Sequence, residues 1–451
     1  MSRKLILLAG DLGLLILATY LAIIIIFSYN TSQEYMMYYD MMPVMVITAG
    51  ILFNVNGLLS LSRKRFGELL LTLCVALVNL LIIMMAISCF MIDYSYSRGV
   101  LLLTTVFQFA MIGIWKYLFW RVERSGISLK SALLIGNEEE CIGIINRLSA
   151  QPQLNYKVRY ISSDCENEPW KKTADDIDLI ILCSDMSLKE KAKIVHYCNI
   201  NGKQVLLIPD VYELFCSGVE LEKIDDIPVF SPRKLRSSLE QRSLKRLLDI
   251  VVSSVALLIT WPIMLLVAIA IKLDSPGSIL YTQVRTGRDE KEFKVYKFRS
   301  MRQDAEGLLG PVMASDNDPR ITKLGKFIRA TRLDELPQIF NVLFGDMSIV
   351  GPRPERPFFV KQFKAQIPEY LYRHNVKPGI TGLAQVYGKY NTTPYNKLIY
   401  DLIYIQKCNI LTDLVIILQT VRVLVTKSST EGVGNSKQKT DLSGYGINEV
   451  S

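Results

Sequence analysis

The chain has 451 residues, enough for two or three domains, and half of its residues are hydrophobic. The mean hydropathy of +0.24 is high for a soluble protein and indicates membrane segments. The net charge of +9 suits nucleic acid, anionic lipid or phosphate-rich substrates, and the apolar runs favour the last two. Two histidines and no C-x-x-C pair argue against zinc sites and histidine-centred triads.

Four apolar stretches occupy the first quarter of the chain, at about residues 5–27, 43–61, 69–91 and 100–120. Each is close to the roughly 20 residues that cross a bilayer core as a helix. Lys and Arg precede the first stretch and follow the second and fourth, whereas the alternate loops hold only Arg98. This pattern predicts a four-helix transmembrane region over residues 1–124, with the N-terminus and the rest of the chain in the cytoplasm. The first stretch is too long for a signal peptide, so we expect it to be retained.

The next segment, residues 125–235, changes to an α/β pattern. Strands are predicted at about residues 132–136, 178–183 and 204–209, separated by helices that end near residue 148 and span 188–201. The alternation predicts a parallel sheet, but the first turn reads Gly136-Asn-Glu-Glu-Glu140 and lacks G-x-G-x-x-G. Acidic residues stand where a pyrophosphate would approach. We therefore expect a degenerate Rossmann-like cytoplasmic domain used for assembly or regulation.

A fifth apolar stretch lies at about residues 247–271, within a segment of residues 240–273. Basic residues flank both ends, and Trp261-Pro262 stands at the middle. A proline there removes one backbone hydrogen bond and kinks a helix. These features predict a re-entrant membrane helix that breaks at Pro262 and returns to the cytoplasmic face. The alternative is a fifth crossing, which would place the basic segment that follows outside the cell.

Residues 274–427 are dense in Arg, Lys, Pro and Gly. The most specific groups are Lys297-Phe-Arg-Ser-Met301, Asn317-Asp-Pro-Arg320, Arg332-Leu-Asp-Glu-Leu-Pro-Gln338, Gly351-Pro-Arg-Pro354 and Lys377-Pro-Gly-Ile-Thr-Gly-Leu-Ala-Gln385. Residues 398–425 mix apolar faces with charges and predict amphipathic helices on the membrane surface, with a helical core as the alternative. The tail, residues 428–451, is polar and predicted to be disordered.

An acidic pair in this segment is the strongest candidate for chemistry. Apolar residues at helical spacing follow Pro337, which suits a first turn, and Gly345 is placed to end that helix. Asp334 and Glu335 then lie at the helix N-terminus, where phosphate also binds well. The simpler alternative is that Asp334 only caps the helix.

Nearby cations favour the functional interpretation. Arg329 and Arg332 lie close in sequence, and a two-proline turn holds Arg353 at little entropic cost, as clamping a diphosphate would require. Carboxylates and cations together indicate phosphoryl transfer with a divalent metal. Nucleic acid is a weaker partner, because no aromatic platform accompanies the basic groups.

On these motifs the chain resembles the bacterial sugar transferase family, the monotopic polyprenyl-phosphate phosphoglycosyl transferases. Together with the four spans and the α/β domain, the span from about residue 245 to 427 is similar to the long members that start exopolysaccharide or O-antigen repeat units. The implied fold is a membrane bundle, a Rossmann-like domain and a mainly α-helical catalytic domain with a re-entrant helix. The implied reaction moves a hexose 1-phosphate from a UDP-sugar to undecaprenyl phosphate and releases UMP.

The resemblance also implies roles for particular residues. Asp334 would be the nucleophile that carries the sugar phosphate, and Glu335 would bind Mg²⁺ or Mn²⁺ or act as acid and base, with Asp334 as a second ligand. Phosphate or substrate contacts would come from Arg353, Arg329, Lys297, Arg299, Arg320, Arg332, Arg373, Lys377, Thr381 and Gln385. A homodimer, a bacterial inner-membrane location, contact with membrane lipid and cooperation with downstream glycosyltransferases are further implications. The family often has serine before the hairpin proline, where this chain has Trp261.

Two other functions remain open on the sequence alone. A membrane-bound nucleotide-sugar dehydratase or epimerase would need a glycine-rich loop and a Tyr-x-x-x-Lys pair, and the chain has neither. A non-catalytic scaffold for polysaccharide enzymes is opposed only by the intact acidic pair and Arg353. The sugar itself cannot be derived from the residues.

Overall fold

The computed structural model describes residues 2–27, 33–61, 64–90, 98–125, 128–163, 170–232, 235, 238–302, 320–389, 392–425 and 448–449. The chain divides into two compact units. One comprises Met1–Ile208 with Lys437–Ser451, and the other comprises Pro209–Ser436. The first contains the apolar N-terminal helices and a parallel sheet, and the second contains every predicted site residue.

The N-terminal helices are α1 (Ser2–Phe27), α2 (Gln33–Val55), α3 (Phe66–Phe90) and α4 (Arg98–Ser125). By length and hydropathy α1, α3 and α4 are candidate membrane spans, and so is one later helix, which makes this a multi-pass membrane protein. The apolar part of α2 is the shorter segment Tyr39–Val55. The bounds predicted for the second stretch were wrong, because α2 includes Pro43 in its interior and ends before a turn at Gly57, whose φ is +62°.

Buried polar contacts join the helices of the N-terminal region. Asp11 of α1 and Lys116 of α4 form an ion pair with both side chains fully buried. Lys116 also donates to the carbonyl of Leu58 at 3.0 Å. Gly10 lies so close to the Trp115 ring that a Cβ atom would be 2.6 Å from it. A buried ion pair loses much of its stability when one partner is removed, so this contact sets the pairing of α1 with α4.

The predicted α/β pattern is confirmed as a parallel sheet in the order β2-β1-β3-β4, with β1 (Lys130–Ile135), β2 (Tyr156–Ser162), β3 (Leu179–Leu182) and β4 (Gln204–Leu207). Its helices are α5 (Glu138–Ser149), α6 (Trp170–Ala174) and α7 (Leu188–Ile200). In β1, Leu133 and Ile135 pack into one core cluster, and Ala132 and Leu134 pack into another. Both faces are therefore covered, as parallel sheets require. Of these four strands only β2 was not predicted, because charged residues interrupt its apolar run. The short helix α6 was also not predicted.

The second unit begins at Pro209, earlier than the boundary at residue 235 that the sequence suggests. It opens with α8 (Val211–Ser217) and the hairpin of β5 (Val219–Ile224) and β6 (Ile227–Pro232). Tyr395 donates to Asp210 at 2.5 Å, and Gln406 donates to the Leu214 carbonyl at 2.7 Å. These long-range bonds attach α8 to the C-terminal region.

The fifth apolar stretch forms a single helix, α9 (Leu239–Asp274), with Pro262 inside it. Ser238 and Gln241 form a capping box at its start. The helix continues through Pro262, so the chain does not leave the helical conformation at the predicted break. A proline in a helix interior still lacks one hydrogen bond and distorts the preceding turn.

The rest of the unit is mainly helical, as predicted, and also contains short strands. Its elements are β7 (Leu280–Thr286), β8 (Glu292–Phe298), α10 (Lys323–Ala330), α11 (Gln338–Phe344), β9 (Ser348–Val350), α12 (Pro357–Gln366), β10 (Gly379–Thr381), α13 (Leu383–Tyr387), α14 (Pro394–Gln406) and α15 (Ile410–Val425). Strands β7 and β8 form an antiparallel hairpin, and β9 pairs with β10 in parallel. One side of α14 is buried in the main core, whereas α15 exposes Leu411, Leu414, Val421 and Leu424.

The predicted disordered tail lies almost wholly outside the described residues. The part that is described forms a two-residue strand, β11 (Asn448–Glu449), which pairs in parallel with β2. This pairing places the end of the chain in the first unit, next to the sheet.

Candidate active site

The acidic pair lies in a 3₁₀ turn, Leu333–Glu335, between α10 and α11. Helix α11 begins at Gln338, with Pro337 in the N-cap position and no side-chain cap. The pair therefore directly precedes the helix N-terminus, and Pro337 is the N-cap residue instead of the first-turn residue that the sequence predicts. Capping does not explain Asp334. The predicted helix end is confirmed, since Gly345 is the left-handed residue after α11.

Glu335 is held by two cations through one carboxylate oxygen. Its Oε1 accepts from Lys297 Nζ at 2.8 Å and from Arg353 Nη2 at 2.6 Å. Burial alone would raise the pKa of Glu335, but the charges and hydrogen bonds of Arg353 and Lys297 outweigh burial and hold that pKa well below its ordinary value. Glu335 is therefore an anion at neutral pH.

Asp334 is in a different electrostatic position. It is half-buried, and across the described ranges it makes no hydrogen bond or ion pair. Burial raises the pKa of Asp334, repulsion from Glu335 raises it further, and Lys297, Arg329 and Arg353 oppose the rise. The Asp334 carboxylate is thus close to several cations without being paired to any of them.

Arg353 is placed by a rigid turn, residues 352–354. The carbonyl of residue 352 accepts from Gly379 N at 2.9 Å. The Arg353 carbonyl accepts from Arg373 Nη2 at 2.8 Å, and the carbonyl of residue 354 accepts from Arg285 Nη1 at 3.0 Å. Each donor comes from a different segment of the unit. Three successive carbonyls bonded in this way leave the backbone little freedom, so the Arg353 guanidinium is presented to Glu335 from a fixed base.

Behind the turn lies a buried ion pair that the sequence did not reveal. Arg373 Nη2 is 2.9 Å from Asp401 Oδ2, and the two side chains are 4% and 2% exposed. Arg373 also donates to the Tyr370 hydroxyl. Because its guanidinium is occupied by Asp401, Tyr370 and the Arg353 carbonyl, Arg373 supports the turn and is not brought to the carboxylates.

A buried amide connects the acidic pair with the strand that carries Lys297. Asn341 of α11 is fully buried, accepts from Tyr296 N at 3.0 Å and donates to the Lys294 carbonyl at 2.7 Å. Both partners belong to β8. The side chain takes the place of a missing sheet neighbour and fixes β8 against α11, which sets the distance from Lys297 to Glu335.

Two of the other predicted residues are hydrogen-bonded elsewhere, and a third lies away from the acidic pair. Arg299 is 7% exposed and donates to the carbonyls of Ser275 and Pro276, each at 2.7 Å, so it caps the end of α9. Thr381 is hydrogen-bonded to Thr420 at 2.7 Å. Lys377 lies beside Gly345, at the end of α11 away from the acidic pair.

The other four predicted residues lie in different surroundings. Arg329, at the end of α10, acts on Asp334 through its charge. Arg332 has a φ of +60°, a left-handed conformation uncommon in residues with side chains, and turns the chain into the 3₁₀ turn. Both amide atoms of Gln385 are buried and lack a hydrogen-bond partner among the described residues. Arg320 lies in the turn before α10, next to residues 303–319, which lie outside the described chain.

The arrangement combines a free carboxylate with a second carboxylate that two cations keep ionised. A phosphorus atom beside Asp334 would meet a nucleophile, and its oxygens would meet Arg353, Lys297 and Arg329. Arg285, Asn341 and Asp401 were missed as supporting residues, because their partners are backbone atoms or side chains far away in sequence. Spacing along the chain carries no signal for such contacts.

Comparison with known proteins agrees with this chemistry. The family model described as bacterial sugar transferase matches residues 240–427. A UDP-glucose:undecaprenyl-phosphate glucose-1-phosphate transferase from Klebsiella pneumoniae is 37% identical over 321 residues, which cover 66% of this chain and 68% of the relative. The chain belongs to the bacterial sugar transferase family. The resemblance drawn from the motifs is thereby confirmed.

Two further relatives of this sugar transferase show how the likeness is distributed. An uncharacterized sugar transferase from Haemophilus influenzae is 30% identical over 355 residues, covering 71% of this chain and 74% of the relative. A UDP-N-acetylgalactosamine-undecaprenyl-phosphate N-acetylgalactosaminephosphotransferase from Aeromonas hydrophila is 45% identical over 186 residues, covering 41% and 44%. The relatives' names differ in the sugar, so they agree on a reaction class and not on one substrate.

Proposed function

We propose that the chain transfers a hexose 1-phosphate from a UDP-sugar to undecaprenyl phosphate and releases UMP, as a first membrane step of exopolysaccharide or O-antigen synthesis. It is a sugar-1-phosphate transferase of the kind named for its relatives. The observation that carries the proposal is the contrast within the acidic pair. Asp334 is unpaired among the described residues, while Glu335 is bonded to Lys297 and Arg353.

The proposed reaction has two steps. An Asp334 oxygen bonds to the phosphorus next to the sugar as the bond from that phosphorus to the bridging oxygen breaks, and UMP leaves with that oxygen. An oxygen of undecaprenyl phosphate then attacks the same phosphorus and frees the Asp334 carboxylate. Splitting one displacement in this way lowers each barrier. Arg353, Lys297 and Arg329 stabilise the charge on the phosphoryl oxygens.

The donor set fits a Mg²⁺ or Mn²⁺ ion. Asp334 supplies unpaired carboxylate oxygens, and Lys297 and Arg353 both donate to Oε1 of Glu335. Magnesium is commonly held by one or two carboxylates together with substrate phosphates. Asp334 and Glu335 would hold the ion, which would neutralise charge on the diphosphate. Gln385, with its open amide, is proposed as a substrate contact.

We also propose that α9 is re-entrant. Near its start, Arg246 donates to the carbonyls of Val342 and Leu343 at 2.5 and 2.7 Å. Near its end, Val267 packs with Ile328 in one core cluster. No residue from 254 to 266 is buried. Both arms of the helix thus pack on a single unit, which cannot lie on both sides of a bilayer. Attachment of a membrane-impermeant thiol reagent to Ser278→Cys from the outer face of intact cells would contradict re-entry.

The location proposed is the bacterial inner membrane, with the N-terminus and the catalytic unit in the cytoplasm. The exposed apolar side of α15 supports contact of this helix with lipid, whereas the buried side of α14 supports a core role for that helix. A homodimer is also proposed. It is supported by the hairpin β5–β6, in which the cross-strand partners Leu221 and Phe230 are both largely exposed. A product of monomer size alone, after chemical cross-linking of native membranes, would contradict the dimer.

The transfer reaction is tested by UMP release from the full chain in detergent or nanodiscs. The assay contains Mg²⁺, a short-chain polyprenyl phosphate and a panel of UDP-sugars. UMP release with one sugar is expected, and it is abolished in Asp334→Asn but retained in Glu292→Gln, an exposed carboxylate in the same unit. Turnover that survives in Asp334→Asn would exclude the covalent step, and folded wild-type protein inactive with every sugar would contradict the reaction itself.

A further inference from the structure

Four side chains with metal-binding atoms meet at one edge of the parallel sheet in the first unit. Glu140 and Cys141 lie in the first turns of α5, directly after β1, and Cys183 and Asp185 follow β3. Strands β1 and β3 are parallel neighbours, so their carboxyl ends open on the same crevice. Acidic residues of the sequence argue against pyrophosphate binding in this crevice.

The distances suit a common ligand. The Sγ atoms of Cys141 and Cys183 are 3.7 Å apart, and both residues are fully buried. Ligand atoms of Glu140, Cys183 and Asp185 all lie within 4.8 Å of one another. Two thiolates bound to one tetrahedral zinc ion at about 2.3 Å each are separated by roughly 3.7–3.8 Å. The observed thiol separation matches this value, and Glu140, whose carboxylate accepts from Ser184 N and Oγ, would exchange those bonds for the ion.

The backbone next to the cluster leaves space for this approach. Gly136 has a φ of +145°, and a Cβ atom there would be 2.3 Å from Cys183 Cβ and 3.0 Å from Asp185 Oδ1. The missing side chain at Gly136 lets the loop after β3 close onto α5. Asp185 is exposed, so the cluster is open to solvent on one side.

The local charge favours a cation. Glu140 and Asp185 place two carboxylates beside the Cys183 thiol. A divalent ion bound to the two thiols would displace their protons. The same negative field opposes phosphate.

We propose that Glu140, Cys141, Cys183 and Asp185 form a binding site for a thiophilic divalent cation of the zinc class. The ion would join the start of α5 to the loop after β3 and stabilise the α/β sheet. The site is separate from the sugar transfer chemistry, and the proposal does not depend on it. It also differs from the Mg²⁺ pair, whose ligands are only carboxylates.

The test is Co²⁺ titration of the full chain in detergent, after treatment with a reductant and a chelator. One equivalent is expected to produce a sulfur-to-cobalt charge-transfer band, which added Zn²⁺ removes. The carboxylates of the transferase site cannot produce this band, because they contain no sulfur. The band is expected to disappear in Cys183→Ser and to persist in Cys198→Ser, a matched buried cysteine of the same domain that lies outside the cluster.

A second measurement keeps the test independent of folding defects. Asp185→Asn, on the exposed side, is expected to weaken Zn²⁺ binding at least about tenfold while the protein stays folded. Zn²⁺ is expected to raise the melting temperature of the wild type more than that of this variant. Absence of the band at one equivalent, its survival in folded Cys183→Ser, or unchanged affinity in Asp185→Asn would each overturn the proposal. So would a Cys141–Cys183 disulfide formed by peroxide in protein that does not bind Co²⁺.

Discussion

Lys297→Met removes one of the two cations bonded to Glu335 and retains most of the side-chain stem. The Lys297 and Glu335 side chains are 21% and 13% exposed and 2.8 Å apart, so this is a charge-assisted bond in a poorly hydrated site. Hydrogen bonds to charged groups contribute about 1.5–3 kcal/mol. If the bond is needed in the transition state, kcat/KM falls roughly 10- to 150-fold.

The same substitution should change the pH profile. Lys297 lowers the pKa values of both Asp334 and Glu335, so its loss raises both. These carboxylates are active when ionised, and activity is lost as the pH falls through their pKa values. The acid limb of kcat/KM is therefore expected to move to higher pH in Lys297→Met, and the loss of rate is expected to be larger at low pH than at high pH.

The measurement is UMP release in detergent as a function of pH, with thermal unfolding recorded for each variant. Lys294→Met, an exposed lysine on the same strand, is the matched control and should retain wild-type rates. A loss of less than about threefold, or a loss that is equal at every pH, would refute the argument that Lys297 acts by holding the carboxylates ionised.

Two further substitutions test the support of the Arg353 turn. Asp401→Asn leaves the buried Arg373 without its anion and should lower the free energy of unfolding by about 3–5 kcal/mol, measured by denaturant unfolding. A denaturation curve like that of the wild type would contradict the pairing. Gly351→Ala places a Cβ atom 2.3 Å from a carbonyl oxygen, so the turn must shift and UMP release should fall up to about 100-fold. Gly143→Ala, where no atom lies within 4 Å, is its control, and equal activity of the two would show that the turn tolerates displacement.

Much of this protein follows from patterns that are local in sequence. Apolar runs of bilayer length predict α1, α3, α4 and α9. A helix makes all its backbone hydrogen bonds within one continuous segment, and apolar side chains of that same segment face the lipid. Strand and helix periods likewise predict β1, β3, β4, α5 and α7. Asp334, Glu335 and Arg353 lie within twenty residues of one another, and in the structure Arg353 forms an ion pair with Glu335.

Only the tertiary structure decides which partner each cationic side chain and each thiol contacts. Arg299, Arg353 and Arg373 are all candidate phosphate contacts from the sequence and its resemblance, yet one caps α9, one meets Glu335, and one supports a turn. An arginine has the same donors in each role, and its function depends on which carbonyl or carboxylate the fold brings within reach. Cys141 and Cys183 are likewise separated by β2, α6 and β3, so no motif spacing could pair them. Composition and periodicity therefore determine which segments form helices, strands and membrane spans, whereas partner identity depends on contacts that only packing creates.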